Sequence, residues 1–409
     1  MKILLLTQWY PPEPAELLEE LACALKEKGN EIYVLTGFPN YPSGKIYSGY
    51  KLKLLQKEIR KDIPITRVFL FPDHSRIAWR RAFNYISFSI SALYGSLFIQ
   101  KPDLIYAYHP PLTIGLPAYI LSKRWKIPFV YNIQDMWPET LQATNMLNNK
   151  VILNLINKCS LWVYKKASAI FVISPGFYYN LIEKGVNKEK IYIIPNWVDH
   201  EFFRPLNYDS ELAKQLDIHG KFNILYAGNI GEAQGLESVI EAAELLKNIS
   251  RIHFLFAGDG TALNSLKNIV EKKNLNNVRF LGRYPANFMP KLYSIVNVLL
   301  VHLKDEPLFR ITIPHKIYTY MAAAKPILAA VSGDGADEIK NAKAGIVCAP
   351  QNPESIAEAV LQLYQMPCQN LYEMGLNGRE YVKQYRNIIN ISSKINNILL
   401  NIFQNFVNK

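Results

Sequence analysis

Short apolar runs alternate with stretches of helical periodicity along the whole chain, and this alternation predicts the fold. In the first half the apolar runs fall at residues 3–6, 31–36, 66–71, 104–107, 128–132, 169–173 and 192–195. The first leads into a helical stretch through Leu25, closed by Gly29 at a C-cap position. A polar, proline-containing stretch at 204–209 interrupts the series, which restarts at 223–227, 253–257, 278–281, 298–301 and 327–330. Near-continuous apolar strands separated by helices predict parallel sheets covered on both faces. The chain therefore reads as α/β, with doubly wound domains over 1–203 and 204–385. The Asn/Ile-rich tail, 386–409, reads as a helix that returns to the N-terminal domain. The longest uncharged stretch, 82–99, approaches the minimum for a membrane span but contains Asn84, Ser87, Ser89, Ser91 and Ser96. Its apolar Phe83, Ile86, Ile90, Leu93, Leu97 and Phe98 recur at helical spacing and predict a packed helix. The apolar start is too short for a signal peptide, and Pro11, Pro12 and Pro14 follow where cleavage would occur.

A length of 409 residues agrees with two domains. Hydrophobic residues at 49% and charged ones at 20% exclude a disordered or collagen-like chain. The balance 46 − 34 = +12 points to an anionic partner: nucleic acid, a membrane surface or a phosphate-bearing substrate. Cys23, Cys159, Cys348 and Cys368 lie far apart with no C-x-x-C pair, so reduced cytoplasmic thiols are expected. A P-loop, H-E-x-x-H, D-x-D and RNP-like arrangements are all missing. The nearest dinucleotide fingerprint, Gly258-Asp259-Gly260-Thr261-Ala262-Leu263, lacks its third glycine.

Four turns in the second half carry candidate chemistry. Residues 226–236 (YAGNIGEAQGL) are a strand, a glycine-rich loop and a helix start. They read either as a cradle of backbone amides for an anion or as a tight βα turn. Gly258-Asp259-Gly260 reads as turn chemistry. Pro314-His315-Lys316 opens a helix that runs to Lys325-Pro326. A lysine in a helix's first turn opposes the macrodipole; an anion held there explains it, and so does a solvated surface lysine. Gly333-Asp334-Gly335-Ala336 is a further glycine turn opening a helix.

Six segments in order resemble retaining nucleotide-sugar glycosyltransferases of family 4, and the likeness covers almost the whole chain. They are Thr36-Gly37-Phe38-Pro39-Asn40-Tyr41-Pro42-Ser43-Gly44, Gln134-Asp135-Met136-Trp137-Pro138-Glu139 and Ile194-Pro195-Asn196-Trp197-Val198-Asp199, then the 228–236 loop, Phe280-Leu281-Gly282-Arg283 and 314–326. The likeness is to the bacterial capsule, exopolysaccharide and O-antigen (lipopolysaccharide) branch. It implies the GT-B fold, with two Rossmann-like domains facing a central cleft. It further implies transfer of a hexosyl or N-acetylhexosaminyl group from an NDP-sugar, with uridine assumed at family level, to a lipid-linked or growing glycan acceptor. The C-terminal domain would hold the nucleotide and the N-terminal domain the acceptor. The nucleotide-sugar is a co-substrate; no cofactor or metal is implied, and no nucleic-acid partner. Candidate donor contacts are Gly228, Asn229, Gly231, Gly258, Arg283, Tyr284, Arg310, Lys316 and Thr319. In the retaining mechanism the departing phosphate oxygen takes the acceptor's proton, so no side-chain base is required.

The chain departs from the broad pattern at three places. Asn229 and Gln234 stand where Arg and Lys are usual, and Ile311 and Thr319 where two glutamates are usual. The second glutamate normally grips the ribose, so Thr319 offers only a neutral hydroxyl. Glu13-Pro14-Ala15-Glu16 lacks the paired glycines of the N-terminal loop. Together these imply a re-routed diphosphate site with Lys316 as its cation. Candidate catalytic residues are His109, Lys316, Asp135 and Glu139. His109, at the end of the 104–107 strand, resembles the family's histidine beside the donor, or is a polar loop histidine. Asp135 and Glu139, flanking Trp137, would orient sugar hydroxyls; alternatively Asp135 caps the helix behind Pro138 and Trp137 is core. Asn40 and Tyr41 would shape the acceptor mouth.

Between residues 45 and 81 ten Lys or Arg face three acids, so 10 − 3 = +7, with Tyr47, Tyr50, Trp79 and Phe83 nearby. This predicts a cytoplasmic protein bound peripherally to the anionic inner face of the membrane, or a merely solvated basic surface. Two other functions compete with transfer. A sugar-nucleotide epimerase would need carboxylates and histidines poised for elimination, whose motifs do not occur. A catalytically inactive sugar-nucleotide-binding subunit is motivated by Ile311 and Thr319.

Overall fold

The computed structural model describes residues 1–408 except 76 and 145. It divides into two units: Met1–Asn196 with the tail from Ile388, and Trp197–Asn387. The first contains β1 (Lys2–Leu6), β2 (Glu31–Gly37), β3 (Leu55–Arg60), β4 (Ile63–Val68), β5 (Leu104–His109), β6 (Phe129–Ile133), β7 (Ala169–Val172) and β8 (Ile191–Ile193). They form one sheet in the order β3-β4-β2-β1-β5-β6-β7-β8. The second contains β9 (Phe222–Ala227), β10 (Ile252–Ala257), β11 (Val278–Gly282), β12 (Val298–His302), β13 (Ile327–Ala330) and β14 (Gly345–Cys348), ordered β11-β10-β9-β12-β13-β14. This second sheet is parallel throughout. The first is not wholly parallel, because β3 runs antiparallel to β4 as an edge strand.

Central strands such as β6 and β7 are buried along their length, so both faces are covered and the sequence shows unbroken apolar runs. Polar side chains start the intervening helices: Asn149 accepts from the Val151 and Ile152 amides, and Ser174 from that of Phe177. In each sheet the strand order reverses once, between β1 and β5 and between β9 and β12. Ligands of open α/β sheets sit outside the strands' carboxyl ends at such switch points.

The helix Ile388–Val407 belongs to the first unit. Lys28 Nζ donates to Ser393 Oγ at 2.8 Å, and Asn30 Nδ2 to Asn396 Oδ1 at 2.8 Å. The second unit begins at Trp197, earlier than the 204 read from the sequence. The reason is that Trp197 and Val198 are buried and the Val198 amide donates to Arg386 O at 3.0 Å.

Arg67 joins three segments of the first unit from a fully buried position. Its guanidinium lies 2.7 Å from Glu58 Oε1 and donates to Gly37 O at 3.0 Å and Pro11 O at 2.5 Å. Arg67→Leu would leave these acceptors unpaired, so urea unfolding should show a loss of about 3 kcal/mol. An unchanged midpoint contradicts that role.

Candidate functional site

At the carboxyl edge of the second sheet, the turns after β9 and β10 interlock through glycines. Gly228 has φ +137°, and a Cβ at Gly258 would come 1.8 Å from Gly228 O, so both turns need the missing side chain. The interlock takes three of the four amides over 228–231 that the sequence offered to an anion. Gly228 N donates to Ala257 O at 2.9 Å, Ile230 N to Asp259 O at 2.9 Å, and Gly231 N to Gln234 Oε1 at 3.1 Å. Asn229 Nδ2 donates to the same Gln234 oxygen at 3.3 Å. The loop is thus in large part a structural turn, because neighbouring parallel strands end together and pair their loops, and of its four amides only that of Asn229 has no hydrogen bond among the described residues. Gly258 supports that turn.

The cation beside it is Lys316, at the start of the helix Lys316–Ala322. Its Nζ lies 3.8 Å from the centroid of the Tyr226 ring, and a Cβ at Gly228 would come 3.0 Å from it. Burial pulls its pKa down to about 7. A solvated surface lysine is thereby overturned: the amine is folded onto a buried aromatic face. Thr319 is buried, with its hydroxyl donating to Lys316 O at 3.0 Å. Arg310 is exposed and engaged by both Asp305 oxygens at 2.8 Å. Arg283 is exposed, and no hydrogen bond or ion pair holds it among the described residues. Tyr284 stacks on Phe288 with centroids 5.0 Å apart. Lys316 and Arg283 are thus two cations at the carboxyl edge that no carboxylate among the described residues engages.

The corresponding edge of the first sheet is aromatic. His109, ending β5, is fully buried, and neither ring nitrogen has a hydrogen-bond partner. Burial holds its pKa down to about 3. The Trp137 ring stands edge-on to it at 5.7 Å, Tyr85 lies 6.1 Å from Trp137, and Trp9 packs on Tyr41 at 4.7 Å. Asp135 is partly buried, and desolvation raises its pKa to about 6. It does not cap a helix: Glu139–Ala143 starts behind Pro138 with no side-chain cap, and Trp137 is half-exposed. Glu139 is ion-paired with Lys184. Asn40 is buried and donates to Phe38 O at 3.0 Å. The sequence did not single out Glu13, whose buried carboxylate accepts from the Tyr10, Asn40 and Tyr41 amides at 3.2, 2.8 and 2.9 Å. Desolvation raises its pKa to about 7. Its only sequence signal was a carboxylate inside a proline-rich turn after β1.

The basic segment resolves differently from its charge count. Arg67 is buried; Arg60 and Lys61 pair with Glu19, and Arg80 with Asp73 at 2.9 Å. Arg76 lies outside the described residues. Lys45, Lys51, Lys53 and Lys57 remain exposed. Four of the segment's ten cations are thus buried or paired and do not form a free positive surface.

Comparison with known proteins gives two family matches: Glycosyltransferase Family 4 over residues 15–202, and Glycosyl transferases group 1 over 209–381. The glycosyltransferase WbjE of Pseudomonas aeruginosa is 28% identical over 265 residues, which span 64% of each chain. WcaI of Escherichia coli K12, a glycosyl transferase named for colanic acid biosynthesis, is 26% identical over 403 residues, 94% of this chain and 96% of that one. The Anabaena HepE structure with UDP-glucose superposes with a TM-score of 0.73 at 19% identity, covering 98% of this chain and 100% of that one. Such a likeness shows a shared GT-B fold.

The desolvated His109 should stay neutral across the physiological range. Its ring proton resonances should not titrate between about pH 5 and 8; a transition near the ordinary value would mean the ring is solvated.

Proposed function

The chain belongs to the family 4-like glycosyltransferases of GT-B fold, and we propose that it transfers a sugar from a UDP-sugar, with retention, to a lipid-linked or growing glycan acceptor in cell-surface polysaccharide biosynthesis. The observation that carries this reading is the Lys316 amine held over Tyr226 at the carboxyl end of β9. The name of WcaI supports the pathway, and the ligand of HepE supports a uridine nucleotide.

Cleaving the bond from sugar to diphosphate leaves negative charge on a phosphate oxygen. A cation already in place, with part of its hydration stripped by the protein, stabilises that charge more than a solvated one could. Lys316 has this role, and Arg283 supplies a second, mobile charge. The departing phosphate oxygen accepts the acceptor hydroxyl's proton as the new bond forms on the same face of the sugar, so the configuration is kept. His109 stays neutral beneath this edge, its ring fully buried, and the partly buried Asp135 accepts a hydrogen bond from a sugar hydroxyl. Side chains of this kind among aromatic faces suit a carbohydrate. We place the protein at the inner face of the cytoplasmic membrane, where a lipid-linked acceptor resides. No described helix is long and apolar enough to cross a membrane.

Lys316 couples donor binding to pH. Its depressed pKa leaves it largely neutral above about 7 when free, and a diphosphate against it restores the charged form. UDP binding should therefore take up a proton, and affinity should fall as pH rises from about 7 to 9. Calorimetry in buffers of different ionisation enthalpy measures this uptake. Lys316→Met should abolish it and lower turnover about tenfold or more, with the fold intact. Proton-independent binding by the wild type removes Lys316 from the diphosphate site. Turnover with a panel of UDP- and GDP-sugars and a pyrophosphate-linked acceptor tests the reaction, and NMR of the product's anomeric proton tests retention. Nucleotide binding without release across that panel would favour a non-catalytic subunit.

A further inference from the structure

The helix Ala78–Gly95 and the turn Ser96–Phe98 expose most of their large apolar side chains. Its buried face mixes Tyr85, Phe88 and Ala92 with the polar Asn84, Ser87, Ser89 and Ser96. Each polar residue is hydrogen-bonded, Ser96 within its own helix and the others to neighbouring segments. Asn84 accepts from Gln8 Nε2 at 2.6 Å and donates to Phe71 O, and Ser87 Oγ accepts from the Phe71 amide. Ser89 donates to Thr113 O, and Ser96 to Leu93 O. Most of its large apolar residues face out: Trp79 is 68% exposed, Phe83 51%, Ile86 47%, Ile90 64%, Tyr94 44% and Leu97 57%. The spacing of these positions, four or three residues apart throughout, puts them on one stripe of the helix. The packed helix expected from the sequence thus exposes the apolar stripe that predicted its packing.

The stripe continues onto neighbouring helices. Right-handed crossovers from β4 to β5, β5 to β6 and β6 to β7 all move the same way along the sheet, so their helices share one face. Thr113 Oγ1 donates to Tyr85 O at 3.2 Å, and a Cβ at Gly115 would meet Val163, which seats Gly115–Trp125 between Ala78–Gly95 and Lys150–Lys166. Leu116 and Ile120 on the middle helix, and Leu155 and Trp162 on the third, are exposed. Beside them a cavity of about 210 Å³ is lined by Lys123, Lys126 and Lys166 with Ser122 and Ser168. Phe406 also lines it, and no acidic residue does so among the described residues. Lys123 and Lys166 each hold Nζ 5.9 Å from the Tyr119 ring centroid.

We propose that this helical face is a membrane-docking surface, in which the apolar stripe enters the acyl boundary of an anionic leaflet and the lysine cavity takes a phosphate-bearing headgroup. An aligned apolar face with Trp and Tyr along it and cations beside it is the pattern of a helix lying in the interface plane. A second copy of this chain fits less well, since it would bring the same lysines against each other. The inference rests on the lipid-linked acceptor reading and specifies how the protein reaches such an acceptor.

The test is flotation of the full chain with vesicles containing about one third phosphatidylglycerol, against neutral phosphatidylcholine vesicles. Wild type should float with the anionic vesicles. The double variant Phe83→Glu/Ile90→Glu should partition about tenfold less or weaker still, while Ile90→Leu keeps binding. Lys123→Glu/Lys166→Glu should lose the preference for anionic lipid. Circular dichroism establishes that the variants fold. Wild type that ignores anionic vesicles, or a Glu variant that floats as wild type does, overturns the proposal. So does a wild-type dimer in sedimentation velocity that Ile90→Glu disperses, because the face would then belong to a second copy. UDP affinity read on the same proteins keeps the two ideas apart: a chain that floats yet binds no UDP retains the docking surface and loses the enzyme.

Discussion

The cation site of the second unit depends on how closely two backbone turns can approach. β9 and β10 end side by side, and their turns pair through Gly228, Gly258 and the Ile230 amide. A side chain at Gly258 would force the Gly228 carbonyl away, and a side chain at Gly228 would crowd the Lys316 amine. With both positions bare, the amine lies on the Tyr226 ring, and the Tyr226 hydroxyl donates to Asn229 O at 2.6 Å. The lysine lies on a ring face with no carboxylate beside it, so no counter-charge competes with an anion, whose arrival restores the charged amine. Arg310 shows the contrast: Asp305 holds it bidentately, and it has little charge left to offer.

The two sheets carry opposite chemistry at equivalent edges. The second presents cations at its carboxyl end, as an anion requires. The first presents aromatic rings and the partly buried Asp135, which suit hydroxyls, over the buried neutral imidazole of His109. Glu13 holds that edge in shape by gathering amides from the turns after β1 and β2. One fold plan thus supports two recognition tasks through the residues placed at the strand ends.

Most of the fold is legible in the sequence because parallel strands buried on both faces are apolar runs. β3 escapes that reading: LQKEIR sits at an exposed edge and needs no apolar pattern. β14, four half-buried residues, escapes for a similar reason. The glycine loop is visible as a motif, but spacing along one segment cannot show that the next turn takes its amides. Periodicity identifies the helix Ala78–Gly95 yet is silent on which side faces the sheet, and Gln8 and Phe71, distant in sequence, decide it. Counting charge likewise includes Arg67, whose partners Glu58, Gly37 and Pro11 emerge only on folding.

The most direct test of the account is a crystal structure of the chain with UDP. The account predicts the diphosphate at the carboxyl end of β9, with a phosphate oxygen within hydrogen-bond distance of Lys316 Nζ. A nucleotide seated elsewhere, with Lys316 still lying on Tyr226, would contradict it.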